Sequence, residues 1–259
     1  MLFDTHAHYD DERFSEDRDE TIERAYKSGV KYILNASYDL KSSSESILLS
    51  EKYDFIYAAV GIHPHDAASV DDSTISALED YASKSKKVVA IGEIGLDYYY
   101  DNSPRELQRY WFARQIRLAK KLGLPIIVHD RDAHEDTFNI VMEEKASEVG
   151  GVFHCYSGSV EMAKELIKNN FHIAIGGAVT FKNARKVVDV AAFVPDDRLL
   201  IETDCPYMTP EPYRGKRNES SYVRLVAEKI AQIRGVTTEY IARITTENAK
   251  KLFKINTPD

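Results

Sequence analysis

The stretch VVAIGEIGLD, residues 88–97, has an apolar core and contains two carboxylates towards its end. Such a core is typical of a parallel strand that is buried on both faces. Seven further runs of this kind occur along the chain, with helical patterns between most of them. They lie at residues 2–8, 31–37, 55–64, 125–131, 150–157, 171–177 and 199–206. Eight β-then-α units in a chain of this length predict an α/β fold, a (β/α)8 TIM barrel that spans residues 1–259 as one domain.

The main alternative is an open, doubly wound sheet. That fold usually carries a Gly-rich phosphate loop after an early strand, and the sequence has none. The helix after the fourth run is predicted to be capped by Ser103 in the motif SPRE and to end at Gly123. An additional C-terminal helix, at about residues 237–254, is expected to pack on the outside of the barrel.

Composition and charge exclude several classes of protein. The formal net charge of −8 argues against a protein that coats nucleic acid, although one local basic pocket could still hold a phosphate. Only Cys155 and Cys205 are present, so a disulfide framework is excluded and a cytoplasmic location is expected. The apolar runs are too short to span a bilayer, and no long apolar stripe predicts an obligate protein partner.

Histidines and carboxylates collect near the C-terminal ends of the predicted strands. In a barrel these ends meet at one rim, where active sites lie. The set exceeds the three or so ligands of a single catalytic zinc, so we predict two metals bridged by the carboxylate of residue 93. Asp4 is expected to orient His6 on the first strand. The remaining strand-end residues are His8, His63, Glu93, His129, His154, Glu202 and Asp204.

The motifs that carry these residues resemble the TatD-type deoxyribonucleases, within the amidohydrolase-like metal-dependent hydrolases. The resemblance covers nearly the whole chain in the order of the family, and GEIGLD and ETDCPY are its most specific parts. It implies a TIM barrel, two divalent metals and a phosphodiester substrate. The matching motifs are FDTHAH at 3–8, GIHPH at 61–65, GEIGLDYYY at 92–100, FHCYSG at 153–158, ETDCPY at 202–207 and TTENAKKLF at 245–253.

Carried over to the matching positions, the resemblance implies two ligand sets. The first metal corresponds to His6, His8, Glu93 and Asp204, and the second to Glu93, His129 and His154. Asp204 is also expected to accept a proton from the attacking water. Glu202 is expected either to orient a ligand or a water in catalysis, or to be the buried partner of a basic group. The metals could be zinc, magnesium or manganese, which the ligand types do not decide.

Several residues near the rim are candidates for binding substrate. His63 is predicted to contact a phosphate, and His65 to stabilise its loop. We predict that phosphate is bound by Arg131 and by two arginines of the motif YRGKRN, Arg214 and Arg217. The alternative for that motif is a solvated loop. An exposed tyrosine among residues 98–100 could stack a base or pack under the loop.

Three functions remain open at this point. The first is the deoxyribonuclease that the resemblance implies. A concave rim and the net charge of −8 favour short or single-stranded DNA ends over a duplex, and the resemblance implies digestion from 3′ to 5′. An ester or amide hydrolase with the same metals, such as an aminoacyl-RNA deacylase, is the second possibility. A metal-binding scaffold without activity is the third, and the complete ligand set argues against it.

Overall fold

Eight parallel strands, paired in sequence order, form the wall of a barrel in the computed structural model, which describes residues 1–256. Each predicted run overlaps one strand, and only β2 extends beyond its run, by the single residue Val30, so the predicted α/β barrel is confirmed. Residues 257–259 of the predicted domain lie outside the described residues. The strands, β1 to β8, are Leu2–Ala7, Val30–Ala36, Ile56–Val60, Val88–Asp97, Ile126–Arg131, Gly151–Phe153, Phe171–Ile175 and Leu199–Ile201.

Helices follow the strands on the outside of the barrel. Their apolar faces pack on the outward-facing strand residues and form the larger of two buried clusters. Within residues 1–256, no helix is both long enough and apolar enough to cross a membrane. The helices, α1 to α9, are Arg18–Lys27, Leu40–Lys52, Asp72–Lys84, Arg105–Leu122, His134–Glu143, Val160–Lys168, Arg185–Phe193, Val223–Arg234 and Thr238–Leu252.

The start of α4 differs from the prediction, whereas its end agrees. The helix ends at Gly123, which has the left-handed φ of 66° that favours glycine. It begins after Pro104, and no side chain caps it. The Ser103 hydroxyl instead donates to the His65 carbonyl at 2.7 Å and accepts from the Ala68 amide at 3.0 Å. Ser103 therefore fixes the loop after β3 rather than the helix.

The barrel closes where the first strand meets the segment after the last. The amide of Asp204 donates to the carbonyl of His6 at 2.9 Å, and the amide of His8 donates to the carbonyl of Cys205 at 2.8 Å. The Asp4 carboxylate accepts from the amide and the hydroxyl of Thr203, at 2.8 and 2.6 Å. Asp4 also accepts from the amide of His6 at 3.5 Å, so it holds the backbone of His6 as well as this closure seam. That it orients the His6 ring stays a prediction.

The barrel interior is filled by a separate apolar cluster with residues from all eight strands. Phe253 and Ile255, which follow α9, belong to the same cluster, and the Phe253 ring lies 6.1 Å from the Phe3 ring. The additional C-terminal helix is confirmed, but its end does not stay on the outside. It closes the N-terminal mouth of the barrel, so the opposite rim is the open one.

Candidate metal centre

Glu93, near the C-terminal end of β4, lies between two groups of histidines. Its Oε2 atom is 3.2 Å from Nε2 of His6 and 3.8 Å from Nε2 of His8. Its Oε1 atom is 2.6 Å from Nδ1 of His129 and 2.7 Å from Nε2 of His154. The carboxylate is 4% exposed. Each of its oxygens therefore faces a different set of imidazole nitrogens, as a bridge between two metals requires.

In the rings of His8 and His129, a hydrogen bond on the side away from the centre determines which nitrogen carries the proton. Nδ1 of His8 donates to the carbonyl of Ala36 at 2.9 Å, because a carbonyl can only accept. Nε2 of His129 donates in the same way to the carboxylate of Asp97 at 3.2 Å. When these two rings are neutral, the nitrogen that faces the centre therefore carries a lone pair and no proton. Such partners commonly fix the tautomer of metal-binding histidines.

These lone pairs face other electron-rich atoms at short range. Nε2 of His8 is 3.1 Å from Nε2 of His6, and Nδ1 of His129 is 2.6 Å from a carboxylate oxygen. A proton on one of the two atoms or a cation bound between them satisfies such a contact. Ligands about 2.0–2.2 Å from one tetrahedral ion lie about 3.3–3.6 Å apart. The separations of His8 Nε2 from Nε2 of His6 and from Oδ1 of Asp204, 3.1 and 3.4 Å, are close to this spacing, whereas the 2.6 Å contact of His129 with Glu93 is a hydrogen-bond distance. The residues therefore fit divalent cations. Among residues 1–256, three sets of ligand atoms converge: His6, His8 and Glu93; His63, Glu93 and His129; and His6, His154 and Glu202.

The pKa values of Glu93 and His129 are shifted because opposite charges face each other here. Burial opposes ionisation of Glu93, but His154, His6 and the other histidines outweigh it and hold the pKa of the carboxyl well below its usual value. Burial also opposes protonation of His129. Its two carboxylate neighbours outweigh that effect and raise the pKa of the imidazole to about 9.

A close approach of two strands places His129 against β4. Gly95 pairs with His129 in the register of β4 and β5. A Cβ atom added at Gly95 would lie 2.0 Å from the His129 carbonyl oxygen, and the φ of Gly95 is 148°. Only glycine fits here without displacing the strand that carries the histidine.

Asp204 lies on the side of the first histidine pair. Its Oδ1 atom is 3.4 Å from Nε2 of His8 and 3.9 Å from Nε2 of His6. Burial raises the pKa of Asp204, but hydrogen bonding to His8 and the charge of His6 outweigh this and lower it. Asp204 is thus a carboxylate positioned beside the first predicted ligand set.

Glu202 is fully buried behind His154. Its Oε1 atom accepts from the amide of Cys155 and lies 3.7 Å from Nδ1 of His154, while Oε2 has no hydrogen-bond partner in the described structure. Burial raises the pKa of Glu202 to about 8. Its charged neighbours are His154, Asp204 and Asp4, and no arginine or lysine among residues 1–256 forms an ion pair with it. No hydrogen bond joins Glu202 to the His154 ring in the described structure, so the orientation of a ligand or a water by Glu202 stays a prediction.

Asp97 is a residue of the centre that the sequence analysis missed. Its Oδ2 atom contacts Nε2 of both His65 and His129, at 2.9 and 3.2 Å. Its Oδ1 atom accepts from the amides of Tyr99 and Tyr100, at 3.0 and 2.9 Å. The signal was available, because Asp97 ends the same predicted strand that carries Glu93 four residues earlier.

His63 reaches the centre with a nitrogen that can donate. Its Nδ1 atom accepts from the amide of His65 at 3.2 Å, so the proton of the neutral ring is on Nε2. That Nε2 atom is 3.6 Å from Oε1 of Glu93. A donor at this position suits an oxygen of a substrate better than a metal ion. His65 has the loop-stabilising contacts that were predicted for it.

The three predicted arginines have different surroundings. The guanidinium of Arg131 lies over the rings of Tyr99 and Tyr100, and that of Arg214 lies 3.7 Å from the ring centroid of Phe181. Arg217 makes a two-pronged ion pair with Asp17, with both distances 2.7 Å. Its donors are occupied by this link across the chain. We therefore remove Arg217 from the candidates for phosphate binding.

Further exposed cations lie on the segments that follow β7 and β8, and the sequence analysis missed those after β7. The loop after β7 approaches the loop after β8, where the amide of Glu211 donates to the hydroxyl of Thr180 at 2.9 Å. In the described part of the chain, none of the exposed cations on these two loops and in the first turn of α7 makes an ion pair. They are Lys182, Arg185, Lys186, Arg214 and Lys216. The motif FKNARK, at 181–186, was the available signal.

Comparisons with known proteins agree with this architecture. The family model described as TatD related DNase matches residues 3–254. The uncharacterized metal-dependent hydrolase YabD of Bacillus subtilis is 52% identical over 99% of this chain and 100% of its own. The 3′-5′ ssDNA/RNA exonuclease TatD of Salmonella typhimurium is 32% identical, over 98% of this chain and 99% of its own.

A solved structure shows the same fold. YJJV, a TatD homologue from Escherichia coli K12, superposes with a TM-score of 0.93 at 31% sequence identity. The superposition covers 98% of each chain. Together with the family match, this likeness extends along nearly all of the barrel described above. The chain belongs to the TatD family of metal-dependent hydrolases.

Proposed function

We propose that the protein is a deoxyribonuclease that holds two divalent cations and removes nucleotides from single-stranded DNA ends, from 3′ to 5′. The observation that carries the proposal is the carboxylate of Glu93, whose two oxygens face two separate sets of histidines. The Salmonella relative is named for 3′-5′ exonuclease activity on single-stranded DNA and RNA, which supports the choice of substrate and direction.

Each residue of the centre has a different role in the proposed hydrolysis. The two cations would lower the pKa of a water molecule and neutralise charge on the phosphate. The ionised Asp204 is placed to accept the proton of the attacking water. Nε2 of His63 is placed to donate to a phosphate oxygen. Glu202 acts on the reaction through His154, whose ring it faces.

The distribution of charge supports action on strand ends. The centre lies at the open rim of a barrel whose other mouth is closed, so a phosphate must enter from one side. Binding a long duplex depends on many cations that track its phosphates, and this protein has a net charge of −8. The unpaired Arg131 and Arg214 suffice for the few phosphates of a single-stranded end.

The proposal is tested with linear and covalently closed circular single-stranded DNA of the same sequence. The protein is loaded separately with magnesium, manganese or zinc, and Asp204→Asn from the same purification controls for contaminating nuclease. We expect digestion of the linear strand and resistance of the circle. Equal degradation of both would show an endonuclease.

RNA and aminoacyl-RNA are additional arms of the same experiment. Hydrolysis of the aminoacyl ester with intact polynucleotides would assign the chain to the alternative class of ester hydrolase. A protein that binds the cations and hydrolyses none of these substrates would be the non-catalytic scaffold. A labelled 3′ end that is lost before the 5′ end would support the direction.

A further inference from the structure

Two neighbouring tyrosines at the open rim are exposed although their rings are large and apolar. Tyr99 is 58% exposed and Tyr100 is 54% exposed. Their ring centroids are 5.0 Å apart and their planes cross at 88°, so the pair presents two differently oriented faces. The sequence analysis left open whether a tyrosine of this segment packs under the loop. These two do not.

A guanidinium lies in the angle between the two rings. The Cζ atom of Arg131 is 4.2 Å from the ring centroid of Tyr99 and 4.7 Å from that of Tyr100. The pairing of β4 with β5 extends to this point, since the amide of Tyr98 donates to the carbonyl of Arg131 at 2.9 Å. Among residues 1–256, no carboxylate forms an ion pair with Arg131, so its charge is available to an anion.

The tyrosines are fixed relative to the metal centre. The amides of both donate to Asp97, whose other oxygen contacts His129 of the second ligand set. The Tyr100 ring lies 5.4 Å from the ring of His65, which in turn lies 6.4 Å from the ring of His129. A single imidazole therefore separates the tyrosine pair from a predicted metal ligand.

We infer that Tyr99, Tyr100 and Arg131 form a nucleobase subsite, which holds a base of single-stranded nucleic acid next to the phosphate that is cleaved. The inference rests on the proposed function and specifies how its substrate is recognised. Aromatic faces stack on any base, and a guanidinium can stack on a base or bind a phosphate. Base-paired nucleotides cannot offer both faces, so the subsite selects unpaired ends without reading sequence.

The first test compares a normal strand with one that lacks bases. Two oligodeoxynucleotides of the same length are used, and in one of them abasic residues replace the last two nucleotides at each end. The double variant Tyr99→Ala/Tyr100→Ala should have a KM about tenfold higher than the parent for the normal strand, because stacking on the rings is lost. Its KM for the abasic strand should equal that of the parent. Tyr100→Phe should behave like the parent, since the ring remains.

Tyr110→Ala is the matched control, because Tyr110 is 49% exposed but lies on helix α4 rather than at the rim. Thermal unfolding of every variant establishes that it is folded. The inference is wrong if the double variant and Tyr110→Ala have the same KM for the normal strand. It is also wrong if the double variant loses activity equally on the normal and the abasic strand.

The second test measures binding without catalysis. Oligonucleotides with a terminal 2-aminopurine are titrated with protein in EDTA, because stacking on an aromatic ring quenches the fluorescence of this base. Quenching by the parent and by Tyr110→Ala, but not by the double variant, is expected. Unchanged quenching by the double variant would overturn the inference.

The two tests separate the inference from the proposed function. If the parent quenches the fluorescence but hydrolyses no nucleic acid with any of the three cations, the subsite stands and the proposed nuclease activity fails. If the parent digests DNA and the double variant matches it in both tests, the nuclease activity stands and the subsite fails.

Discussion

Oδ2 of Asp97 lies 3.2 Å from Nε2 of His129, on the side of the imidazole that faces away from Glu93. The His129 ring is thus held between two carboxylates, which fix its orientation. The same aspartate also holds the backbone of the exposed Tyr99 and Tyr100. One buried side chain therefore determines both the direction of a predicted metal ligand and the position of the rim next to it.

Asp97→Asn should weaken cation binding on the side of His129. The amide side chain retains the shape of the carboxylate but loses its charge, so the His129 ring is less firmly oriented and less basic. Loss of such partners typically costs about 10–100-fold in metal affinity. Titration of the metal-free protein with zinc or manganese measures it. Asp101→Asn, an exposed carboxylate of the same loop paired with Arg105, should bind both cations like the parent. Equal affinities in the two variants would contradict the role of Asp97.

Glu93→Gln should remove the bridge between the two cations. An amide offers one acceptor oxygen, and its NH2 group would point at one of the two histidine sets. We expect the bound metal to fall well below two equivalents per chain, and the rise in melting temperature on adding cations to be largely lost. Elemental analysis and thermal unfolding with and without metal check this. Two full equivalents in the variant would refute the bridging role.

Asp204→Asn should separate proton transfer from metal binding. The histidines still hold cations in this variant, but the proton acceptor is gone. Hydrolysis should fall by about 10²–10⁴-fold, the usual contribution of general acid–base catalysis. Turnover and metal content are measured on the same sample. A rate near that of the parent would place the proton acceptor elsewhere, and loss of metal would make Asp204 primarily a ligand.

His172 should make the stability of the barrel depend on pH. This residue of β7 is at the N-terminal mouth, and burial lowers the pKa of its imidazole to about 4, below the 6.5 of an unfolded chain. Between these values the unfolded state binds more protons than the folded state. The free energy of unfolding therefore falls as the pH falls from about 6.5 towards 4, by about 1 kcal/mol at pH 5.5 from this residue.

Urea unfolding of the parent and of His172→Gln, in EDTA at pH 7.5 and 5.5, measures this effect. EDTA removes the contribution of bound cations, and the histidines of the metal centre are the same in both proteins. The parent should lose more stability than the variant between the two pH values. The same loss in both would show that His172 contributes nothing to the pH dependence.

The sequence predicted the barrel and the composition of its centre because both depend on strand periodicity. His129 and His154 each end a short apolar run, and the closed order of the strands brings such ends together. The same rule places Asp97 at the centre, because it ends the fourth strand, but the sequence analysis did not include it among the candidates. By contrast, the bond between Arg217 and Asp17 joins residues 200 positions apart in sequence. It depends on how two loops pack, which no local pattern encodes. Ser103 shows the same limit at short range, since its hydroxyl bonds the β3 loop rather than its own helix.

The closure seam between His6 and Asp204 has a consequence for biosynthesis. His6 is synthesised before Asp204, which follows nearly two hundred residues later in the chain. Until then, a nascent chain lacks one carboxylate of the predicted first ligand set. The segment after the last strand closes the barrel and adds this carboxylate in one step. A ribosome that stalls before residue 204 therefore releases a fragment whose barrel is open and whose predicted ligand set lacks its aspartate.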